Sequence, residues 1–238
     1  MRFEPRSPAE RSSRSVVVAL ALLLLSAAAP LDRIAAYHNA LAALPRPSYV
    51  EYDYVQTRSG PDHVVTEQHR VYRTQSGQER NDTIMVNGTP VVPAISRILR
   101  RDSWPYDIAQ FALSSDDYDI VPAGIALVSG RKAYSFRTTR HEDSGFRITG
   151  LYLDPRRSLP VRETFAVAGA SCAGTGVIDF APASRYWLPT AVQVNCTAAT
   201  ANGPAVFKES IRFANYGFPN VIPADVFTAA GETATPTP

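Results

Sequence analysis

From Val50 onward the chain alternates apolar and polar residues with a period of two, and turn-forming residues interrupt that alternation again and again. A period of two places successive side chains on opposite faces of a strand, so this pattern restricts the chain to antiparallel sheet. In the stretch SYVEYDYVQTR, Val50, Tyr52 and Tyr54 alternate with Glu51 and Asp53 until Ser59-Gly60-Pro61-Asp62 ends it. HVVTEQHRVYRT follows up to Gln75-Ser76-Gly77-Gln78, and ERNDTIMV runs to Asn87-Gly88. Strand, turn, strand, turn, strand is a meander.

After a central interruption the alternation resumes. The expected strands are Tyr118 to Pro122, Ile125 to Ser129, Lys132 to Arg140, Gly145 to Leu153, Pro160 to Val167, Cys172 to Phe180, Tyr186 to Thr197 and Ala205 to Phe213. Their separators include Gly124, Ser129-Gly130, Asp154-Pro155 and Asn202-Gly203-Pro204, whose backbone preferences suit turns. About eleven strands result, with no repeat of fixed period to suggest a propeller or solenoid. A sheet of that size must curl strongly, split, or close toward a barrel.

Two segments break the period. Leu31, Ile34, Ala35, His38, Leu41 and Ala42 recur at helical spacing, with Pro30 at the start and Pro45 and Pro47 beyond the end. This predicts one amphipathic helix, with His38 packed on its apolar stripe. Ile95, Ile98 and Leu99 have the same spacing and predict a short central helix. Arg97, Arg100 and Arg101 then lie on or beside it as a solvated face, and a turn or two of helix is expected at Tyr106 to Leu113. The lid candidates are therefore Leu31, Ile34, Leu41, Ile95, Ile98 and Leu99. Residues 31–43 and 94–112 are expected against the open side of the sheet, because their apolar stripes would otherwise face water.

The beginning of the chain reads differently. A basic region to Arg14, the apolar run SVVVALALLLL and the small residues Ser26 to Ala29 have the order of a secretory signal peptide. The expected cut follows Ala28; the other reading is an uncleaved anchor, although the apolar run is shorter than the ~20 residues of a membrane span. The net charge of +2 resides in this leader. Without its four arginines and two glutamates, 20 basic and 20 acidic residues remain. Nucleic-acid binding, which needs a basic footprint, is not expected. The expected organisation is residues 1–28 as signal peptide, 29–227 as one domain, and 228–238 as a disordered tail, in a monomer of the periplasm or another extracytoplasmic compartment.

The chain has two cysteines, Cys172 and Cys196, both in the exported part, and an even count in an oxidising compartment favours a disulfide. Reflection through Ser184, twelve residues from each, makes them directly opposed on the apolar side of a hairpin. Two cysteines without histidine make a poor metal site, so no metal and no cofactor is expected. GxSxG, HExxH and a phosphate-binding glycine loop are all absent. His63 and His69 share a strand face but sit ~20 Å apart at strand rise. His141-Glu142-Asp143 reads as a solvated loop. Asp116, Asp117 and Asp119 lack the glycine and terminal glutamate of a calcium loop. No catalytic residue is assigned.

What the sequence does supply is aromatic surface: 11 Tyr, 10 Phe and 2 Trp. Tyr52, Tyr54, Tyr134, Phe136, Phe146, Ile148, Tyr152 and Phe165 fall on alternating strand positions. They either fill an ordinary core or line a cavity in the mouth of a curved sheet. All of them except Phe146 are taken as cavity candidates.

Three landmarks then suggest a family. Gly130-Arg131-Lys132-Ala133-Tyr134, Leu151-Tyr152-Leu153-Asp154-Pro155 and Leu159-Pro160-Val161-Arg162 resemble motifs of the outer-membrane lipoprotein-sorting superfamily, the LolA/LolB-like group. Trp187-Leu188-Pro189, Phe207-Lys208-Glu209 and Ile222 to Phe227 continue the order, so the resemblance runs from about Leu31 to Phe227. It implies a mostly β (α+β) fold, an unclosed antiparallel β-barrel with helices as a lid over a hydrophobic cavity. It also implies non-catalytic carriage of a lipid, or of a lipoprotein's acyl chain, toward the outer envelope. The alternative within the same resemblance is an envelope sensor or interaction domain with a filled core and a protein partner. The first half of the chain matches no family motif residue by residue, and the cysteine pair is not expected of the carriers.

Overall fold

The turn residues cut the chain where left-handed backbone is needed. Asn87 and Gly88 both have positive φ (49° and 81°), as do Ser129 and Gly130 (50° and 77°). Two adjacent residues of this kind form the tight hairpin turn that matches strand twist. The computed structural model describes residues 30–101, 107–169, 172–201 and 203–228. The expected leader and nearly all of the expected tail lie outside the described residues.

Among the described residues one helix, α1 (Pro30–Ala42), precedes eleven strands: β1 (Tyr49–Ser59), β2 (Val64–Thr74), β3 (Gln78–Val86), β4 (Thr89–Arg100), β5 (Tyr118–Val128), β6 (Arg131–Arg140), β7 (Phe146–Leu153), β8 (Pro160–Gly169), β9 (Cys172–Ala183), β10 (Tyr186–Thr200) and β11 (Gly203–Gly217). They form a single antiparallel sheet in the order β4-β3-β2-β1-β11-β10-β9-β8-β7-β6-β5. Two meanders are joined where β1 pairs with β11, Tyr54 opposite Phe213. β4 and β5, consecutive in the chain, are the two edges of the sheet. The fold is mostly β, with the barrel left unclosed.

The strand count agrees with expectation through two offsetting differences. Tyr118 to Pro122 and Ile125 to Ser129 are one strand, β5, which bends at a bulge between Pro122 and Gly124 where Gly124 has φ +97°. The predicted central helix is instead strand β4: Ile95, Ile98 and Leu99 pair with Thr83, Arg80 and Glu79 of β3. The Asn87-Gly88 turn obliges the chain to return along β3, and that pairing overrides the helical spacing of three apolar residues. Among the described residues of the central segment, one 3₁₀ turn is present, Ile108–Gln110, capped by the Asp107 carboxylate.

The disulfide Cys172–Cys196 is present, with Cα atoms 5.6 Å apart. The two residues are diagonal neighbours, not directly opposed, because Cys196 faces Gly174. The hairpin turns at Ser184 and Arg185, so Tyr186 pairs with Ala183. That register alone would place the cysteines on opposite faces. A bulge between Pro189 and Ala191 inserts one residue and restores a common face.

Candidate functional site

Strand parity carries one row of side chains across most of the sheet. Pro122, Phe136, Leu151, Glu163, Ile178, Val192, Ile211, Gln56 and Glu67 are successive partners from β5 to β2. This is the inner face, and its two ends differ in chemistry. From β6 to β11 it is apolar, with Phe136, Ile148, Leu151, Leu153, Phe165, Ile178, Phe180, Val192 and Ile211 all buried. Across β1 to β3 it becomes aromatic and polar: Tyr52, Tyr54, His69, Arg73, Glu79 and Asn81.

α1 lies over the apolar half. Ile34, Ala40 and Leu41 pack against the cluster, and Tyr37 is fully buried within it. Among the described residues, Leu113 supplies the polar contacts of the helix. The Tyr37 hydroxyl accepts the Leu113 N–H at 3.0 Å, and His38 Nε2 stands 2.7 Å from the Leu113 carbonyl. The Arg33 guanidinium stacks 3.3 Å over the Tyr134 ring. Ile108 and Leu113, in the β4–β5 connection, are buried in the same cluster.

The expected cavity residues therefore separate. Phe136, Ile148 and Phe165 form the apolar floor, and Tyr134 is half-buried beneath Arg33. Tyr52 and Tyr54 belong to the polar end, where the Tyr54 ring stacks on His69 with centroids 4.4 Å apart. Tyr152 is on the other face, opposite Ser135 and Arg162. A bulge between Ile148 and Gly150 reverses parity in β7, so Leu151 and Leu153 face inward in its place. Of the lid candidates, Ile34 and Leu41 pack over the floor, and nothing is described for the Leu31 side chain. Ile95 and Ile98 are exposed on edge strand β4. The edge strands carry six exposed large apolar residues in all: Val92, Ile95 and Ile98 on β4, and Val121, Ile125 and Leu127 on β5.

With α1 in place the remaining space is divided. A cavity of about 270 Å³ lies at the C-terminal end of α1, among Leu41, Leu44, Ile108, Trp187 and Leu188. A second of about 200 Å³ lies between Tyr52, Tyr54, Gln56, Asn81 and Phe213. A third of about 310 Å³ borders the disulfide, beside Gly60, Val194 and Phe207. Ligand pockets usually measure about 300–1,000 Å³, so the first two fall short of that range and the third only reaches its lower end.

Acidic side chains are buried at two places on the inner face. Arg73 and Glu79 are each 2% exposed and bond at 2.8 Å, with Arg101 3.3 Å from the same carboxylate. Glu163 is fully buried between Leu151 and Ile178, and among the described residues neither of its carboxyl oxygens has a hydrogen-bond partner. Burial pushes its pKa well above the usual carboxylate range. Glu163 escaped the sequence reading, although its parity with Phe165 and Val167 was available as a signal.

Two histidines bond within the fold, His69 through Nδ1 to Asn81 and His141 to Asp119. Burial lowers the His69 pKa, while its bond to Asn81 and the nearby Glu67 oppose that shift. His141 bonds to Asp119 at 3.2 Å, which raises its pKa. His63 is exposed. Among the described residues no three His, Cys, Asp or Glu side chains gather as a metal-binding group. No helix among them is long and apolar enough to cross a membrane.

No family model and no curated protein matches the chain. Among solved structures it is similar to a putative outer membrane lipoprotein-sorting protein domain from Vibrio parahaemolyticus (13% identity, TM-score 0.46, covering 82% of this chain and 95% of that one). It is also similar to a DUF1329 family protein from Desulfovibrio piger (12%, 0.43, 82% and 96%). A LolA superfamily protein from Nitrosomonas europaea is a third (11%, 0.42, 82% and 96%).

Proposed function

We propose that the protein is a non-catalytic extracytoplasmic carrier that binds an acyl chain on the apolar half of its inner face, beneath α1. The observation that carries this reading is the cover itself. A floor running from Phe136 to Ile211 is closed by one short helix through Ile34, Tyr37 and Leu41. In this closed state the helix occupies the place of the ligand, so binding requires α1 to swing aside.

Magnitudes favour the exchange. Burial of three apolar side chains holds α1 with about 5–9 kcal/mol, at about 1.5–3 kcal/mol each. A sixteen-carbon chain buried at about 0.8 kcal/mol per methylene supplies up to roughly 13 kcal/mol on the same scale. The surplus of a few kcal/mol, reduced further by association costs, gives a weak hold suited to handover. Residues 1–28 would direct export, 29–227 would form the carrier domain and 228–238 would trail from it. The disulfide suits the oxidising compartment that this route implies.

Native mass spectrometry of protein purified from the periplasm, with titration of a fluorescent fatty acid, tests the proposal. Co-purified lipid or saturable fluorescence enhancement is expected, and a ligand-free protein that ignores the probe refutes it. The second reading, an envelope interaction domain with a filled core, draws on Tyr37, which already packs the floor. It predicts no lipid and a protein partner instead.

A further inference from the structure

Row neighbours of Glu163 are Leu151 and Ile178, both fully buried, and one strand further out stand Phe136 and Val192. From β6 to β10 this row spans about 19 Å at ordinary strand spacing. Four of its five side chains are what the floor of an apolar trough requires. The fifth is a carboxyl group at the midpoint.

Among the described residues nothing bonds that carboxyl. Neither oxygen has a hydrogen-bond partner among the described residues, and the upward shift of its pKa comes from burial. Above it stands α1, where the Tyr37 hydroxyl is engaged with the Leu113 amide. Tyr37 is buried in one cluster with Leu151 and Ile178, the two row partners of Glu163, so helix and carboxyl meet at the same part of the floor. The Arg73–Glu79 pair shows how this same sheet satisfies a buried carboxylate when its role is structural. Buried polar groups in folded proteins are almost always paired, and an orphan enclosed by apolar neighbours calls for a partner from outside the fold.

We propose that Glu163 is the polar anchor of the site beneath α1, recognising an acyl amphiphile whose head group carries a hydrogen-bond donor, an amide before all others. This inference rests on the carrier reading and adds the residue that selects among its ligands. A protonated carboxyl both donates and accepts, and an amide presents the complementary N–H and C=O, so two hydrogen bonds form side by side. In the apolar trough such bonds meet little competition from water. An ester of the same chain has no donor and leaves the Glu163 carbonyl oxygen unpaired. Departure of α1 uncovers the carboxyl and removes Tyr37 in the same movement, so the head group replaces the helix where the polar atom lies.

The test is competition against a fluorescent fatty acid by hexadecanamide, hexadecan-1-ol and methyl hexadecanoate. Wild type, Glu163→Gln and Glu163→Leu are compared. Wild type is expected to hold the amide at least tenfold, and the alcohol severalfold, more tightly than the ester. Glu163→Gln, which keeps a donor and an acceptor, should retain the preference. Glu163→Leu should bind all three with similar affinity and still bind the probe. An N-hexadecanoyl dipeptide amide, compared with hexadecanamide, separates the two sources of the chemistry: tighter binding of the peptide points to an acylated chain end, tighter binding of the simple amide to a free lipid, and either supports the anchor. Equal affinities in wild type, or an unchanged preference in Glu163→Leu, overturn the anchor and leave the carrier reading standing. Failure of every chain and of the probe to bind wild type overturns both. Should Glu163→Leu not fold, the amide-to-ester ratio of wild type alone decides.

Discussion

The disulfide offers a sharp test of the register described above, through the double substitution Cys172→Ser and Cys196→Ser. The bridge closes a loop between residues 24 apart in sequence. β9 is also paired with β8, and β10 with β11, so both strands keep their outer partners when the bridge is removed. The native state is therefore little changed, and the loss falls on the unfolded chain, which gains loop freedom. For a loop of this length the chain-entropy relation gives about 3.5 kcal/mol at 25 °C. At about 2–4 °C per kcal/mol for a domain of this size, the melting temperature should fall by roughly 7–14 °C. Urea and thermal unfolding of wild type with and without dithiothreitol, beside the double serine variant, measure it. Reduced wild type and the variant should coincide. A shift below about 1 kcal/mol would mean that the bridge constrains nothing. Uptake of two alkyl labels by unfolded, unreduced protein would show that it does not form.

Three further outcomes follow from the inner face. Glu163 has a raised pKa in the folded state, so the native protein binds more protons than the unfolded one above about pH 4.5 and loses stability as pH rises. Glu163→Leu should remove that dependence, with a difference from wild type growing by up to about 1.4 kcal/mol per pH unit above pH 4.5; parallel stability–pH curves would count against it. His69, lowered chiefly by burial, has the opposite sign. Its unfolded form takes up a proton first as pH falls through about 6.5, so stability declines on acidification, and His69→Gln should flatten that limb in chemical-denaturation curves at pH 5 to 7. At Gly174 an added Cβ would stand 2.0 Å from the Asn195 carbonyl oxygen. Gly174→Ala should therefore destabilise by about 1–3 kcal/mol or more in urea melts, since backbone must move to admit it, and an unchanged midpoint would contradict the β9–β10 register.

Much of this architecture was legible in local chemistry. Alternation around Tyr52 and Tyr54, the apolar stripe of Ile34 and Leu41, and the turn residues Asn87-Gly88 and Ser129-Gly130 determine strand, helix and hairpin because each acts on its own few residues. The Asn87-Gly88 turn even required β4, against the spacing of Ile95, Ile98 and Leu99, since a two-residue hairpin is defined by the strand that returns. Bulges were not legible. One extra residue near Thr149 sends Tyr152 outward and Leu151 inward, and another at Thr190 brings Cys196 to the face of Cys172. Both depend on partner strands, and nothing in either strand alone announces them. The pairing of β1 with β11, which joins Tyr54 to Phe213 across the length of the chain, is likewise a tertiary choice. Glu163 shows the division most clearly: its sequence assigns it to the face of Phe165, but only the tertiary packing of that face takes the carboxyl out of water.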